Sequence, residues 1–302
     1  MATQPARLLR PYVDVHAHIG QTINRVPPVG QTAEKYLARM AKSGVVAAIL
    51  CPAAGGPLAR GVLDTREQNV AVATACQTHP DRFPLGLAII EVRHQQAGVE
   101  ELDRAMRDDG LAGLMCHPGL SGHALGEELY PALEVVDGRG GLALLHVGGR
   151  GTEARAAACA RRFRRTTFIM AHVSMAKDQH AEAAKHLANL DNAWFDFAQH
   201  PAGADDLWDL RRLVHDFGDD RLLFGSDSPY YDHRLLQAQI EQAPLSALSE
   251  RVKDRLAFQN AVTLIQHFRP AWRLPAAPPQ LPSAFAGVDL WAQQPGRPGR
   301  LA

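Results

Sequence analysis

The 302-residue chain lacks most of the features that mark a specialised class of protein. Cysteine is scarce: Cys51, Cys76, Cys116 and Cys159 lie far apart with no CxxC pair. That excludes a disulfide-stapled scaffold and a zinc–thiolate frame, and fits buried thiols in a reducing compartment. Neither sign of charge is in excess, with Lys+Arg 32 and Asp+Glu 32, so no basic surface argues for nucleic acid or an anionic membrane as a partner. No apolar run approaches the roughly 18 residues of a membrane span, and the opening MATQPARLLRPYV has no apolar signal core, so a cytoplasmic location is expected. A GxGxxG after the first predicted strand, a P-loop and a GxSxG nucleophile elbow are missing too, which disfavours dinucleotide binding and serine-hydrolase chemistry. Aromatic residues make up only 6%, but the apolar total of 46% is enough for an ordinary globular core.

What the chain does have is a regular alternation. Short apolar, β-branched runs predict strands at Tyr12–His16, Val45–Cys51, Pro84–Val92, Leu111–Cys116, Gly141–His146, Thr167–His172, Ala193–Ala198 and Arg221–Gly225. Between them, amphipathic runs predict helices at Thr32–Lys42, Thr65–His79, Gln96–Asp108, Glu127–Gly138, Thr152–Arg164, Lys177–Leu190, Ala204–Phe217 and Asp232–Ala243, with a last one over Ser249–Phe268. Continuously apolar strands are those covered on both faces, and strand–helix alternation implies right-handed parallel crossovers. Eight such units in about 250 residues suit an α/β fold of the (β/α)8 TIM-barrel type. After Phe268 the pattern stops, and seven of the 20 prolines fall within the 33 residues from Pro270 to Ala302. Residues 1–268 therefore read as a catalytic barrel domain and 269–302 as a Pro-rich C-terminal extension.

Histidine is the residue in excess, with 14 copies, and several close predicted strands: His16 and His18 the first, His117 just past the fourth, His146 the fifth, His172 the sixth. Asp227 follows the eighth, in Phe-Gly-Ser-Asp-Ser-Pro. In a barrel these strand ends ring one mouth, so residues far apart in sequence converge on one pocket. In Asp14-Val15-His16-Ala17-His18, strand alternation puts Asp14, His16 and His18 on one face, and two imidazoles at that spacing can chelate a divalent ion. His146 and His172 are each the first polar side chain after an apolar strand; they suit ligand or acid/base roles, or a helix cap or carbonyl contact. Asp227 suits a ligand, a proton acceptor, or an N-cap before Pro229. Arg93 and Arg150, after the third and fifth strands, are candidates to clamp a substrate carboxylate or are solvated loop residues. Tyr230 and His200 are candidates to line the mouth.

The runs Asp14-Val15-His16-Ala17-His18, Leu-Leu-His146-Val-Gly, Ile-Met-Ala-His172-Val and Leu-Phe-Gly-Ser-Asp227-Ser-Pro, in this order, resemble the amidohydrolase superfamily. The likeness is to its amidohydrolase-related branch, which holds aminocarboxymuconate-semialdehyde decarboxylase, resorcylate-type decarboxylases and lactonases. The resemblance spans Tyr12 to Phe268. It implies His16, His18, His146 and Asp227 as metal ligands and His172 as acid/base histidine or ligand of a second ion. Asp14 matches an acidic ligand of some members. The bridging lysine that other members carry after the fourth strand has no counterpart in Gly113-Leu-Met-Cys116-His117. That favours a single ion over a two-metal site with His117 as an unusual ligand.

Zinc is the first choice of ion, with manganese and iron as alternatives. A bound ion would activate water near neutral pH. The expected activity is a metal-dependent hydrolase attacking a small ester, thioester, lactone or amide, with Asp227 and His172 moving protons. The alternative is non-oxidative decarboxylation of an unsaturated or aromatic acid, and a catalytically dead scaffold is the third. The expected partner is a small-molecule substrate, with a homodimer left open.

Overall fold

The computed structural model describes residues 10–23, 28–121, 124–148, 151–173, 180–199, 210–231, 233–243 and 245–276. The strands are β1 (Tyr12–Thr22), β2 (Val29–Gln31), β3 (Val45–Pro52), β4 (Leu85–Ile89), β5 (Gly113–Cys116), β6 (Leu142–His146), β7 (Thr167–Ala171), β8 (Ala193–Asp196) and β9 (Leu222–Leu223). They form a nine-stranded sheet in the order β2-β1-β3-β4-β5-β6-β7-β8-β9. Every pairing is parallel except β1 with β2. The short β2 has no counterpart in the sequence expectation, because a three-residue strand carries too little periodicity to be seen.

The sheet curls until its two ends meet. Val15 N–H donates to Phe224 O at 3.0 Å, His18 N–H to Ser228 O at 2.8 Å, and Asp227 N–H to His16 O at 2.7 Å. Ala17 and Ser228 form a parallel bridge. The eighth expected strand is regular only over Leu222–Leu223, and its continuation reaches β1 through these single bonds.

The alternation of side chains explains why so many strand positions are apolar. On β6, Leu142 and Leu144 enter the core inside the curl, while Ala143 and Leu145 pack in the layer against the helices. β7 does the same with Ile169 and Ala171 against Phe168 and Met170. Two cores, one on each face, need apolar residues at both parities. Where strands crowd, only glycine fits: a Cβ on Gly113 would lie 1.8 Å from Leu142 O.

Helices alternate with the parallel strands: α1 (Ala33–Met40), α2 (Val62–Thr78), α3 (Gln95–Arg107), α4 (Tyr130–Gly138), α5 (Thr152–Arg162), α6 (His180–Leu187), α7 (Leu210–Phe217) and α8 (His233–Gln242). The last predicted helix is three pieces: α9 (Glu250–Asp254), a π-helical stretch at Arg255–Gln259, and α10 (Asn260–Phe268). Thr32 and Ser249 start α1 and α9 by accepting from Lys35 N–H and Val252 N–H. Among the described residues no helix is long and apolar enough to cross a membrane. All four cysteines are buried thiols. The Pro-rich segment beyond residue 276, Arg150 and His200 lie outside the described residues.

Candidate metal centre

β1 departs from simple alternation at the site. Its register on β3 shifts between Asp14 and Ala17. Tyr12, Ala17 and Ile19 face the helix layer, and Val13 and Val15 face the inner core. A bulge at this point adds one residue and reverses the parity. His16 and His18 thus turn into the curl, whereas Asp14 points to the opposite side. This corrects the expectation that the three share a face.

Asp14 is fully buried there, and its oxygens are committed. Oδ1 accepts from His16 N–H at 3.0 Å and Ser226 N–H at 2.9 Å, and Oδ2 accepts from the hydroxyls of Tyr36 and Ser226. Burial raises its pKa, and these four donors pull the other way. The carboxylate stitches β1 to the segment before Asp227.

Four side chains converge inside the curl. His16 Nε2 lies 3.0 Å from His18 Nε2 and 3.4 Å from Asp227 Oδ1, and His18 Nε2 lies 2.9 Å from the same oxygen. The His146 ring centroid is 4.8 Å from that of His16. Ligand atoms of His16, His18 and His146 all fall within 4.8 Å of one another, and so do those of His16, His172 and Asp196.

The tautomers follow from the partners. His16 Nδ1 faces the Asp196 carboxylate at 3.0 Å and His18 Nδ1 faces Pro52 O at 2.9 Å, so both carry the proton at Nδ1. Their Nε2 lone pairs then point at each other. His172 Nδ1 faces Ala198 O at 3.4 Å, leaving its Nε2 to accept from His146 Nδ1–H at 3.0 Å. Among the described residues His146 Nε2 is left as a buried lone pair with no hydrogen-bond partner, and Asp227 Oδ1 receives no donated hydrogen bond. The facing ring nitrogens of His16 and His18, the leftover nitrogen of His146 and the carboxylate oxygen of Asp227, all buried, are the donor set of a divalent metal ion. The residues fit such an ion.

Electrostatics agree. Burial opposes charge on His16, yet Asp196, Asp227 and Asp14 prevail and lift its pKa to about 9. Burial also works against Asp227, but His18, His16 and His172 hold it well below the usual carboxylate range. Without a metal, a proton on His16 relieves the facing lone pairs; a cation replaces it. The folded pKa exceeds the unfolded 6.5, so this proton stabilises the metal-free fold below about pH 6.5, and the contribution is lost as pH rises through about 9. Metal affinity is therefore expected to rise about tenfold per pH unit between 7 and 9, with close to one proton released per ion at pH 7. Calorimetric metal titrations in buffers of different ionisation enthalpy measure that release.

His172 stands beside the four. Its Nε2 is 4.0 Å from Asp227 Oδ2. By parity residue 172 would face outward, but a left-handed φ of 59° turns the chain inward. Gln199 and Asp227 share that strained backbone, at φ 61° and 54°, and Gln199 donates its amide to Asp227 Oδ2. Three such residues at adjacent strand ends mark a site whose geometry is enforced by its surroundings.

His117 packs at a 40° tilt against His146, 4.4 Å between centroids, and points Nδ1 at Pro118 O at 2.8 Å; burial pushes its pKa down to about 4. Tyr230 lies 5.5 Å from the His18 ring and pairs its hydroxyl with Thr22. Arg93 is 62% exposed and pairs with Glu91 at 2.8 Å, away from the cluster.

Asp196 and Gln199 escaped the sequence reading. Asp196 Oδ2 holds the His16 ring, while Oδ1 accepts from His172 N–H and Ala198 N–H, each at 3.0 Å. Its signal was present: Ala193, Phe195 and Phe197 face the helix layer, so the lone carboxylate between them faces inward. Gly225 belongs here too, since a Cβ on it would lie 3.0 Å from His16 Cβ and 3.2 Å from Asp196 Cβ.

The family model described as Amidohydrolase matches residues 13–266 of this chain. No curated protein sequence matches it. Among solved structures, 5-carboxyvanillate decarboxylase from Sphingomonas paucimobilis aligns with a TM-score of 0.65 at 15% identity, over 85% of this chain and 99% of that one. A 2,6-dihydroxybenzoate decarboxylase from Rhizobium aligns at 0.62 and 18%, over 86% and 100%. A dihydroxybenzoic acid decarboxylase from Polaromonas sp., with bound manganese and the inhibitor 2-nitroresorcinol, aligns at 0.63 and 16%, over 86% and 98%. At these identities the likeness is one of fold.

Proposed function

The chain is a member of the amidohydrolase family, and from that membership we propose that it is a metal-dependent enzyme that decarboxylates an aromatic or unsaturated carboxylic acid without an oxidant. On this reading residues 1–268 are the catalytic unit, a (β/α)8 barrel whose mouth carries the site. The observation that carries the proposal is the convergence of buried ligand atoms on His16, His18 and His146 within 4.8 Å of one another, with Asp227 Oδ1 2.9 Å from His18 Nε2.

Those four residues would hold one divalent ion, manganese or zinc. A bound ion supplies a Lewis acid that gathers substrate oxygens and steadies negative charge as the carboxyl group leaves. The chain's residues do the rest. His172 delivers the proton that the substrate carbon gains as its bond to the departing carboxyl carbon breaks. The charge of Asp227, 4.0 Å away, favours the imidazolium before transfer, and water restores the proton once product has left. Asp196 and Asp14 position the ring of His16 and the backbone that carries it. Burial keeps bulk water from competing for the proton.

Decarboxylation is preferred to carbonyl hydrolysis, the first expectation from sequence, because the compared structures include several decarboxylases and one holds manganese. The test loads the purified chain with manganese or zinc and measures carbon dioxide release from hydroxybenzoates and unsaturated acids, beside hydrolysis of esters, thioesters and lactones. Metal-dependent carbon dioxide release is the expected result. Turnover of an ester or lactone without any carbon dioxide release would overturn the proposal.

A further inference from the structure

Where β8 ends, one short run of chain touches three groups of the metal centre. Asp196 Oδ2 faces His16 Nδ1 at 3.0 Å, Ala198 O faces His172 Nδ1 at 3.4 Å, and the Gln199 side-chain amide donates to Asp227 Oδ2. The first two contacts orient imidazole rings, and the third orients a carboxylate. Gln199 is only half-buried, so water could satisfy its amide. Its backbone sits at φ 61°, a left-handed conformation that disfavours a residue with a Cβ and that the shorter Asn or Asp would tolerate better. Neither burial nor backbone preference accounts for a glutamine here, which leaves its bond to Asp227.

The two oxygens of Asp227 have separate surroundings. Oδ1 lies among histidine nitrogens, 2.9 Å from His18 Nε2 and 3.4 Å from His16 Nε2. Oδ2 accepts from Gln199 and stands 4.0 Å from His172 Nε2, beyond hydrogen-bond reach. A carboxylate beside a divalent ion binds through one oxygen or through both, and what holds the second oxygen decides which. Three imidazoles and one carboxylate oxygen leave positions on an ion open to substrate, and a second carboxylate oxygen would close one of them.

We propose that Gln199 is a positioning residue that keeps Asp227 a one-oxygen ligand. Its amide N–H holds Oδ2 off the ion, so that two oxygens of a substrate find room there. The same bond holds Oδ2 off His172, whose ring stays available to the reacting carbon. Gln199 acts through Asp227 and needs no contact with ion or substrate. The inference rests on the reading of these side chains as a metal centre, and it is independent of which acid the enzyme takes.

The test compares the full-length wild type with Gln199→Met, which keeps the side-chain volume and removes the donor. Manganese titration gives the metal affinity of each, and water-proton relaxation counts the exchangeable waters on the bound ion. Calorimetry then measures binding of acetohydroxamate, a probe that chelates metal through two oxygens. The variant is expected to bind manganese within about threefold of the wild type or more tightly, because the freed oxygen joins the ligand set. Its ion should hold about one exchangeable water fewer. Acetohydroxamate should bind about 10–100-fold more weakly, the range for loss of a group that orients a metal ligand. Gln199→Ala should act in the same direction, with thermal unfolding to confirm that both variants are folded. A water count or a hydroxamate affinity unchanged in both overturns the proposal and leaves the metal centre standing. Manganese affinity lowered about tenfold with the water count unchanged is the mark of a residue that merely steadies Asp227, and it overturns the proposal too. If the wild type binds no manganese, the reading of the metal centre falls and takes this inference with it.

Discussion

Replacing His172 by Ala should leave about one equivalent of metal ion bound and yet cut turnover by roughly 10²–10⁴-fold, the usual worth of a positioned acid/base group. The reason is the division of labour among the imidazoles. His16, His18 and His146 each present a lone pair to one point, with Asp227 Oδ1 beside them, whereas His172 Nε2 is occupied by His146 Nδ1–H. His16→Ala removes a lone pair at the centre of that set and should lose metal and activity together. Metal analysis of the two purified variants beside their kcat values decides the matter. A wild type carrying two ions and a His172→Ala variant carrying one would place His172 in a second metal shell.

Asp196 carries the second large effect. Asp196→Ala is expected to weaken metal binding by about 10–100-fold, as loss of a carboxylate behind a ligating histidine does. It should also lower stability by several kcal/mol, because the His172 and Ala198 backbone N–H groups and the His16 ring N–H are buried with no other acceptor (about 1–3 kcal/mol each). Asp196→Asn separates the two. Its carbonyl oxygen can still accept from the backbone, so the fold should lose less. Its amide, however, meets the His16 Nδ1–H donor with another donor, which favours the wrong tautomer and turns the Nε2 lone pair into an N–H. Manganese titration and thermal unfolding of both variants test this. An Asn variant that binds manganese like the wild type would show that Asp196 does not set the His16 tautomer.

Much of the site could be read in one dimension. His16, His18, His146, His172 and Asp227 each stand at or just past an apolar run, and a parallel strand buried on both faces admits a polar residue only at its end. His117 could be placed by the same reasoning. Asp196 had the same signal but sat inside a run extended too far, to Ala198, which drew attention to His200 instead. Arg93 was open between a substrate clamp and a solvated loop residue; it is exposed and pairs with Glu91, a partner that a strand-end arginine alone does not reveal.

Composition and periodicity alone were enough to establish the alternating α/β order and the cluster of strand-end histidines, because these depend on short-range pattern and residue type. The direction of Asp14 was beyond their reach. Alternation along β1 assigns it to the face of His16 and His18, and one extra residue between Asp14 and Ala17 reverses that assignment. The pairing of Asp196 with His16, separated by 180 residues, depends on β8 and β1 being brought together by the curl of the sheet. The left-handed turns at His172, Gln199 and Asp227 likewise stand at adjacent strand ends, and although His and Asp tolerate that conformation better than most residues, nothing in the sequence marks these positions for it. Bulges, pairings and strained turns are set by what lies across the sheet, and that neighbour exists only once the chain has folded.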